Sequence, residues 1–245
     1  MKLAIFSDVH GNLPALEAVL TDIRSQRVDA VYCLGDLVGY ATFPNEVIAR
    51  IRQEQIPTVM GNYDDGVGFD RDECGCAYRE ATEKARGDQS LAWTKAHTTE
   101  DNKAFLRKLH SAIRFEAGTQ RVLLVHGSPR KMNEYLFEDR PLSSFERLAA
   151  SSDADVIVYG HTHKPYTKLV NSVRFINAGS VGKPKDGDWR ACYALVEIPS
   201  PEPVRFIRVP YDVKRAADAI RRSELPQEFA ADIERGGAPV ETAAH

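Results

Sequence analysis

Short apolar runs alternate with amphipathic segments over the first sixty residues, and this alternation restricts the chain to few folds. The apolar runs cover residues 2–7, 29–35 and 56–60. The intervening segments 13–23 and 45–55 carry apolar residues at the three- and four-residue spacing of a helix face. The order strand, helix, strand, helix, strand predicts a parallel sheet with helices packed against it.

The rest of the chain adds helices and then closely spaced strands. We predict two or three helices between about 79 and 110, including 102–109, and another helix near 141–151. Apolar runs at 121–126 and 155–160 predict two more strands. Three further strands follow one another closely, which favours antiparallel hairpins. They are predicted at 173–179, 191–198 and 203–209.

The C-terminal part carries an amphipathic helical stretch that begins at about residue 212 and is interrupted by Pro226. We expect Leu225, Phe229 and Ile233 to pack this stretch onto the rest of the protein. The sequence has no internal repeat, low-complexity tract or linker, and its 245 residues can bury a sizeable core. We therefore predict a single domain over 1–245, with a C-terminal helical extension.

Net charge and the lengths of the apolar runs disfavour two classes of partner. The formal net charge is −3, whereas nucleic-acid-binding proteins usually carry a basic excess that neutralises phosphates. No apolar stretch reaches the length of about 18 residues that a membrane span needs, and the N-terminal run ends at Asp8, too early for a signal peptide. We expect no membrane association, no nucleic-acid partner and a cytoplasmic location.

Four cysteines fall into two pairs of different character. Cys33 and Cys192 lie in apolar strand-like runs, where buried thiols behave as small apolar side chains. Cys74 and Cys76 flank Gly75 in a polar segment. Because no second Cys/His pair stands at zinc-site spacing, we interpret them as reduced thiols in a loop, with a metal-binding pair as the alternative.

Side chains that can bind metal ions follow five of the predicted strands. The carboxyl ends of neighbouring parallel strands lie at one edge of a sheet, so we expect these side chains to converge in one crevice. The remaining histidines, His97, His110 and His245, lie in predicted helices or in the tail, and we expect them at the surface. The converging residues are Asp8, His10, Asp36, Asn62, His126, His161 and His163.

The chemistry of this set favours two metal ions. Seven carboxylate, amide and imidazole side chains exceed the four ligands of a tetrahedral zinc site and suit two borderline divalent cations that share a carboxylate. Two such cations about 4 Å apart can activate a water molecule and hold a phosphoryl group during in-line displacement. Gly35, Gly61 and Gly160 directly precede candidate ligands, and we predict that they let the backbone turn sharply there.

At these residues the sequence resembles the calcineurin-like metallophosphoesterases. The family pattern of D-x-H, G-D, G-N, a later H and a final G-H-x-H stands here at 8–10, 35–36, 61–62, His126 and 160–163. The segment INAGSVG at 176–182 resembles the Asn-Pro-Gly-Ser segment of the small bacterial phosphodiesterase branch, with Ala178 in place of proline. The resemblance covers roughly residues 1–210.

The resemblance implies an α/β fold, a four-layer αββα sandwich of two mixed β-sheets, with a dinuclear metal site at the carboxyl ends of strands. It implies that Asp36 bridges two metal ions and that a metal-bridging hydroxide is the nucleophile. Mn, Fe, Zn, Ni and Co are all compatible with the pattern. The first ion would take Asp8, His10 and His163 as ligands, and the second would take Asn62, His126 and His161.

The sequence departs from the family pattern at Tyr63, where relatives usually have a histidine that acts on the leaving oxygen. A tyrosine with an ordinary pKa near about 10 is neutral at pH 7 and brings no positive charge. Tyr63 is therefore either a hydrogen-bond donor to substrate or a packing residue. Asp64, which would pair with that histidine in relatives, is expected to accept from Tyr63 or to cap the following segment.

Two weaker candidates could contact substrate. Asn12 follows the first motif, although a role as helix cap would suffice, and Arg130 could bind a phosphate oxygen. The hypothesis with most support is a metal-dependent phosphodiesterase that acts on a small phosphate ester. A phosphoserine or phosphothreonine protein phosphatase is an alternative, and so is a non-catalytic interaction scaffold, because a retromer subunit also resembles this family. The sequence predicts no particular oligomeric state.

Overall fold

Two β-sheets organise the part of the chain that the computed structural model describes, residues 1–78, 80–200 and 204–237. The strands are β1 Lys2–Phe6, β2 Ala30–Cys33, β3 Ile113–Ala117, β4 Gln120–Leu124, β5 Val156–Tyr159, β6 Tyr166–Val170, β7 Val173–Asn177, β8 Ala191–Glu197 and β9 Val204–Val209. The helices are α1 Leu13–Ser25, α2 Pro44–Gln53, α3 Asn62–Gly68, α4 Ala81–His97, α5 Glu100–Leu106, α6 Leu142–Ser152, α7 Val213–Arg221 and α8 Glu228–Arg235.

Both sheets are mixed. The first has the order β2-β1-β8-β9, and the second has the order β3-β4-β5-β7-β6. Strand β1 is parallel to β2 and antiparallel to β8, while β5 is parallel to both β4 and β7. The pairs β3–β4, β6–β7 and β8–β9 are antiparallel. The predicted α/β fold with two mixed sheets is confirmed.

Alternating side chains pack the sheets into layers, because successive residues of a strand point to opposite faces. In β1, Leu3 and Ile5 join a buried cluster that also contains Val122 and Val158 of the second sheet. Phe6 instead packs with residues of α1, α2, α7 and α8 on the outer face of the first sheet. On the outer face of the second sheet, side chains of β4, β5 and β7 pack against α6. Helices therefore cover both outer faces, and an apolar layer joins the sheets.

Strand pairing sets the level at which the candidate ligands leave the sheets. Phe6 is paired with Cys33 in the first sheet, so the chain segments after β1 and β2 run side by side. The amide of Asp8 donates to the Gly35 carbonyl at 3.0 Å, and the amide of His10 donates to the Asp36 carbonyl at 2.9 Å. Because β1 and β2 end at the same level, the D-x-H and G-D motifs lie side by side at one edge of the first sheet.

Several details differ from the sequence-based expectations. Residues 56–60 form no ladder and make only single parallel bridges, at Thr58 to Cys33 and at Val59 to His110. Pro57 contributes to this, because proline has no N–H to donate. The candidate ligands also leave two different mixed sheets, as the resemblance implied, whereas the strand pattern by itself indicated neighbouring strands of one parallel sheet.

The predicted run of C-terminal hairpins is wrong in part. Strand β7 pairs with β6 and β5 in the second sheet, whereas β8 and β9 form a hairpin in the first. Strands β3 and β6 were not predicted. Both are sheet edges that alternate between more and less exposed residues, which weakens their apolar signal.

The C-terminal stretch packs as expected. Leu225, Phe229 and Ile233 are buried with α7 and α8 against the first sheet's outer face. His97 and His110 are exposed as predicted, whereas His245 lies outside the described residues. Among the described helices, none combines the length and the apolar character needed to cross a lipid bilayer.

Candidate metal centre

Three histidine side chains of the candidate centre are oriented by hydrogen bonds from Nδ1 to backbone carbonyl groups. The Nδ1 atoms of His10, His126 and His163 lie 3.0, 2.8 and 2.5 Å from the carbonyl oxygens of Val38, Leu34 and Lys183. A carbonyl can only accept, so each Nδ1 carries a proton, and each Nε2 presents a lone pair whenever its imidazole is neutral. This is the arrangement in which a second hydrogen bond orients a metal-binding imidazole.

The first ligand cluster consists of Asp8, His10 and His163, whose donor atoms lie within 4.8 Å of one another. The Asp8 Oδ1 atom is 3.4 Å from His163 Nε2 and 3.8 Å from His10 Nε2. The two Nε2 atoms are 3.2 Å apart. All three side chains are buried, with at most 3% of their surface exposed.

The second ligand cluster consists of Asp36, His126 and His161, again with donor atoms within 4.8 Å. His126 Nε2 lies 3.5 Å from Asp36 Oδ2 and 3.2 Å from His161 Nδ1. Asn62 adds a fourth donor, because its Oδ1 lies 3.0 Å from His126 Nε2. The orientation of this amide is set on its other side, where Nδ2 donates to the carbonyl of Cys74 at 3.2 Å.

Asp36 stands between the two clusters. Its Oδ2 atom is 3.7 Å from His10 Nε2 in the first cluster and 3.5 Å from His126 Nε2 in the second. Its Oδ1 atom accepts a 2.8 Å hydrogen bond from the amide of Tyr63. One carboxylate oxygen is therefore held by the backbone, and the other faces both clusters.

The donor set suits cations because it brings lone pairs together in a buried place. The paired Nε2 atoms of His10 and His163 are both acceptors, whereas the raised pKa of His126 leaves a proton on its Nε2 that a bound cation would displace. The Asp8 Oδ1 atom is buried without a hydrogen-bond partner. Buried acceptors without partners are costly, and a divalent cation in each cluster would satisfy them. Imidazole, amide and carboxylate donors match borderline divalent metals.

Burial and mutual charge shift the pKa values of these groups in opposite directions. Burial lowers the pKa of His10 to about 4 and of His161 to about 3, which keeps both imidazoles neutral and able to bind a cation. Burial also lowers the pKa of His126, but Asp36 outweighs it and raises the value to about 9. Burial would raise the pKa of Asp36, yet the charge of His126 holds it below the usual range.

Backbone strain accompanies five of the seven candidate ligands. Asp8, His10, Asp36, His161 and His163 have φ values of 55, 50, 52, 66 and 60°. Residues other than glycine seldom adopt this left-handed region, and such strain is concentrated at functional sites. The ligand residues themselves therefore make most of the turns that we predicted for the preceding glycines.

The glycines that precede candidate ligands either turn the backbone or let two chain segments approach closely. Gly35 does turn, with φ of 92°. Gly61 is extended, with φ of −90° and ψ of 170°, and it is needed for close approach, because a Cβ there would lie 2.2 Å from the Asp36 amide nitrogen. A Cβ at Gly160 would likewise lie 2.0 Å from the Ser7 hydroxyl.

Comparison with known proteins agrees with this geometry. The sequence profile of the calcineurin-like phosphoesterase superfamily domain matches residues 1–200 of the chain. The chain belongs to the calcineurin-like phosphoesterase superfamily. The resemblance that the motifs implied is confirmed.

Individual members of the superfamily are similar along most of the chain. An uncharacterised protein of Methanocaldococcus jannaschii is 33% identical over 242 residues, which cover 92% of this chain and 94% of that protein. The phosphodiesterase YfcE of Escherichia coli is 29% identical over 209 residues, with 80% and 88% covered. A metallophosphoesterase structure from Sphaerobacter thermophilus has a TM-score of 0.75 at 31% identity, with 96% and 99% covered.

Tyr63, which replaces the usual superfamily histidine, is buried to 99% and packs beside the first cluster. Its ring lies edge-on to His10 with centroids 5.5 Å apart and covers Gly39, where a Cβ would come within 2.3 Å. Its hydroxyl has no partner in hydrogen-bonding geometry, although Tyr40 and Tyr78 lie near it. Burial raises the pKa of this phenol well above 10, so Tyr63 stays neutral.

Asp64 caps the segment that contains the superfamily's G-N motif. Its carboxylate accepts from the amides of Asp36 at 2.8 Å, Leu37 at 2.9 Å and Gly61 at 2.9 Å. These three bonds tie the start of α3 to the loop after β2. Asp64 thereby fixes the backbone at Asp36 and Leu37. This differs from both predicted roles, because its partners precede it in the chain and the Tyr63 hydroxyl is not among them.

Asn12 and Arg130 have partners within the protein. Asn12 caps α1 by accepting from the Ala15 amide, and its Nδ2 atom donates to the Gly182 carbonyl and to the Tyr211 hydroxyl. Arg130 forms an ion pair with Glu134 at the rim of a cavity that also reaches Asn62. The predicted substrate contact of Arg130 fits this position, whereas the amide of Asn12 is already engaged.

The sequence interpretation missed two contacts with the second cluster. The ring of Tyr135 lies 4.0 Å, centroid to centroid, from the ring of His161, and the sulfur of Cys76 accepts from Asn62 Nδ2 at 3.2 Å. Neither residue stands in a superfamily motif. The proximity of Cys74 and Cys76 to the G-N motif along the chain was the one available signal.

Proposed function

We propose that this protein is a two-metal phosphodiesterase. Asp8, His10 and His163 bind the first cation, while Asn62, His126 and His161 bind the second. Asp36 bridges the two. The observation that carries the proposal is the position of Asp36 Oδ2, which lies within 3.7 Å of an imidazole Nε2 atom in each cluster. A ligand shared by two cations would occupy such a position.

Two divalent cations held there would supply an activated water molecule and would stabilise charge on the phosphoryl group. The residues of the chain contribute orientation. Carbonyl groups fix the imidazoles, Asp64 fixes the loop around Asp36, and burial of all seven ligands keeps their charges in a medium where they interact strongly.

The surroundings favour a diester over a monoester. A cavity of about 900 Å³ reaches Asn62 and is lined by four carboxylates against three cationic side chains. Asp65 is paired with Arg71 and Asp70 with Lys103, so the lining offers no excess of positive charge to a dianionic monoester, and a monoanionic diester needs such an excess less. The lining charges are Asp65, Asp70, Asp72 and Glu73 against Arg71, Arg130 and Lys131.

The neutral Tyr63 supports the same preference. A phenol with a raised pKa protonates a leaving oxygen poorly, which suits esters whose leaving groups need no proton. The relative YfcE is named a phosphodiesterase. We therefore expect turnover to fall steeply as the leaving group becomes more basic.

The test is a pair of assays on metal-free protein reconstituted separately with Mn²⁺, Fe²⁺, Zn²⁺, Ni²⁺ and Co²⁺. We expect cleavage of bis-p-nitrophenyl phosphate to exceed cleavage of p-nitrophenyl phosphate with at least one metal. Phosphopeptides carrying phosphoserine or phosphothreonine test the alternative of a protein phosphatase. Absence of turnover on all three substrates in fully metallated protein would favour the scaffold alternative and sink the proposal.

A further inference from the structure

The two cysteines of the segment 74–76 lie in direct contact beside the second cluster. Their Sγ atoms are 2.8 Å apart. The backbone between them is not extended, because Gly75 adopts the left-handed region with φ of 68° and turns the two side chains toward each other. A disulfide bond is about 2.05 Å long, so the sulfurs are less than about 1 Å from bonding distance.

This thiol pair is connected to a proposed metal ligand through one side chain. The Nδ2 atom of Asn62 donates to the Cys74 carbonyl and to the Cys76 sulfur, each at 3.2 Å. The Oδ1 atom of the same amide faces His126 Nε2 at 3.0 Å. A change in the 74–76 segment therefore alters the hydrogen bonds that orient the oxygen toward the second cluster.

Small oxidants can reach this pair, and they cannot easily reach the other cysteines. Cys74, which is buried with 8% of its surface exposed, and Gly75 line the cavity of about 900 Å³ that also reaches Asn62, and Cys76 is half-buried. Cys33 and Cys192 have no exposed surface and lie within strands or the apolar core. Susceptibility of a thiol to oxidation follows its exposure.

We propose that Cys74 and Cys76 form a peroxide-sensitive modification site that controls the orientation of Asn62. One thiol loses its proton and attacks hydrogen peroxide as a thiolate. The O–O bond breaks, the leaving hydroxide takes up that proton, and a sulfenic acid and one water result. The second sulfur attacks the sulfenic sulfur, the S–S bond forms, and the S–O bond breaks with release of a second water. Two thiols lose two electrons and two protons, and peroxide is reduced to two waters. An external thiol reverses the change.

Formation of the disulfide moves the Cys76 sulfur toward Cys74 and removes an acceptor from Asn62. The amide then loses one of the two contacts that aim its oxygen at His126. Loss of a contact that orients a ligand typically weakens metal binding by roughly 10- to 100-fold. We expect the second metal to be affected and the first to be retained. This consequence rests on the proposed function, whereas the oxidation chemistry does not.

The experiment treats the full-length protein with hydrogen peroxide and reads three quantities. Intact and peptide mass spectrometry should show loss of two hydrogens in the peptide that contains residues 74–76, reversed by dithiothreitol. The side-chain amide resonance of Asn62, assigned by its absence in Asn62→Asp, should shift on oxidation even in metal-free protein. Chelator competition should show weaker binding of one of two Mn²⁺ ions by about tenfold or more.

Two variants serve as controls. Cys76→Ser keeps an oxygen acceptor near Asn62 but cannot form the bond, so peroxide should change neither the Asn62 resonance nor metal affinity. Cys192→Ala removes a cysteine of the buried core and should leave the response intact.

Free, alkylatable thiols at residues 74 and 76 after peroxide treatment would overturn the proposal. A disulfide without a shift of the Asn62 resonance would overturn the control of its orientation. Reduced protein that binds no metal would instead refute the proposed function, and the mass and resonance measurements would still decide this proposal.

Discussion

The two ligand clusters use the same kinds of side chain but are held in different ways. In the first, His10 and His163 are fixed by the carbonyls of Val38 and Lys183, and the peptide amide of Gly182 ties the Asp8 backbone to the other side of the centre. Every fixing bond there involves the main chain. The second depends in addition on Asn62, whose amide is oriented by residues 74–76 of a loop.

The two ligand clusters also differ in whether a ligand lines a surface cavity. Among the candidate ligands, only Asn62 lines the cavity of about 900 Å³. Loops have lower local stability than sheets, since fewer buried contacts hold them. The comparison leads us to expect that the first cluster belongs to the folded core, whereas metal binding at the second depends on residues nearer the surface. Substitutions that address each cluster separately test this directly.

The largest effect is expected for Asp36→Asn, which acts on both clusters at once. The variant keeps the shape of the side chain but removes the charge that faces His10 and His126. Several kcal/mol of charge stabilisation would be lost, so we expect turnover of bis-p-nitrophenyl phosphate to fall by roughly a thousandfold. Elemental analysis after dialysis should show less than one bound metal per chain. Retention of two metals would contradict a bridging role.

The next largest effect separates the clusters. Asn62→Ala should weaken the second metal by roughly 10- to 100-fold and leave the first bound. His163→Ala should give the opposite pattern, because its Nε2 atom faces only the first cluster. Titration with Mn²⁺ against a chelator resolves two affinities in the parent protein and identifies which one each variant loses. Equal loss of both metals in Asn62→Ala would show that the clusters are not independent.

The sequence predicted which residues converge, because the apolar runs and the strand register determine where each chain segment ends. Asp8 and Asp36 follow neighbouring parallel strands, so their proximity followed from pattern alone. The sequence did not predict that His126 and His161 leave a different sheet. Pairing between strands distant in sequence depends on packing of whole faces, which local periodicity does not encode.

Two further features had no readable sequence signal. Left-handed φ values at Asp8 and His163 follow no sequence pattern, since Asp and His enter this region more often than most residues but still seldom, and surrounding contacts impose it here. The contact between Asn62 and Cys76 joins a helix start to a loop without periodicity. Such contacts form only in the folded protein. The hydrogen bonds that orient Asn62 in the second cluster could therefore not be predicted from the sequence.

A smaller effect is expected when a hydrogen bond that holds the loop 74–76, on the side away from Asn62, is removed. Asn133 Nδ2 donates to the Gly75 carbonyl at 2.9 Å and touches no ligand. Removing one such bond in Asn133→Ala costs about 1 kcal/mol, so we expect the second metal to bind about fivefold more weakly. Asn45→Ala is a stricter control, because it removes three bonds, to the His97 carbonyl and from the Thr99 amide and the Asn102 side chain, none of them with a candidate ligand. Chelator competition should show no change in metal affinity for Asn45→Ala. An equal change in both variants would contradict the idea that the 74–76 loop affects binding of the second metal.

The smallest effect concerns Tyr63 beside the first cluster. Tyr63→Phe keeps the ring against His10 and Gly39 and removes a buried hydroxyl that lacks a partner. Leaving a buried polar group unpaired costs about 1 kcal/mol or more, so urea denaturation of the metal-free variant should show slightly raised stability.

The pH profile distinguishes packing from catalysis at the same residue. Because the folded pKa of Tyr63 lies well above 10, the phenol keeps its proton at every lower pH and contributes no limb to the profile there. Tyr63→Phe should therefore leave both turnover and its pH dependence between 5 and about 9 unchanged. A tenfold lower rate, or the loss of the alkaline limb of the pH profile, would instead mean that the Tyr63 hydroxyl contacts the bound substrate. A residue beside the first cluster would then affect catalysis, as we expect for residues 74–76 beside the second.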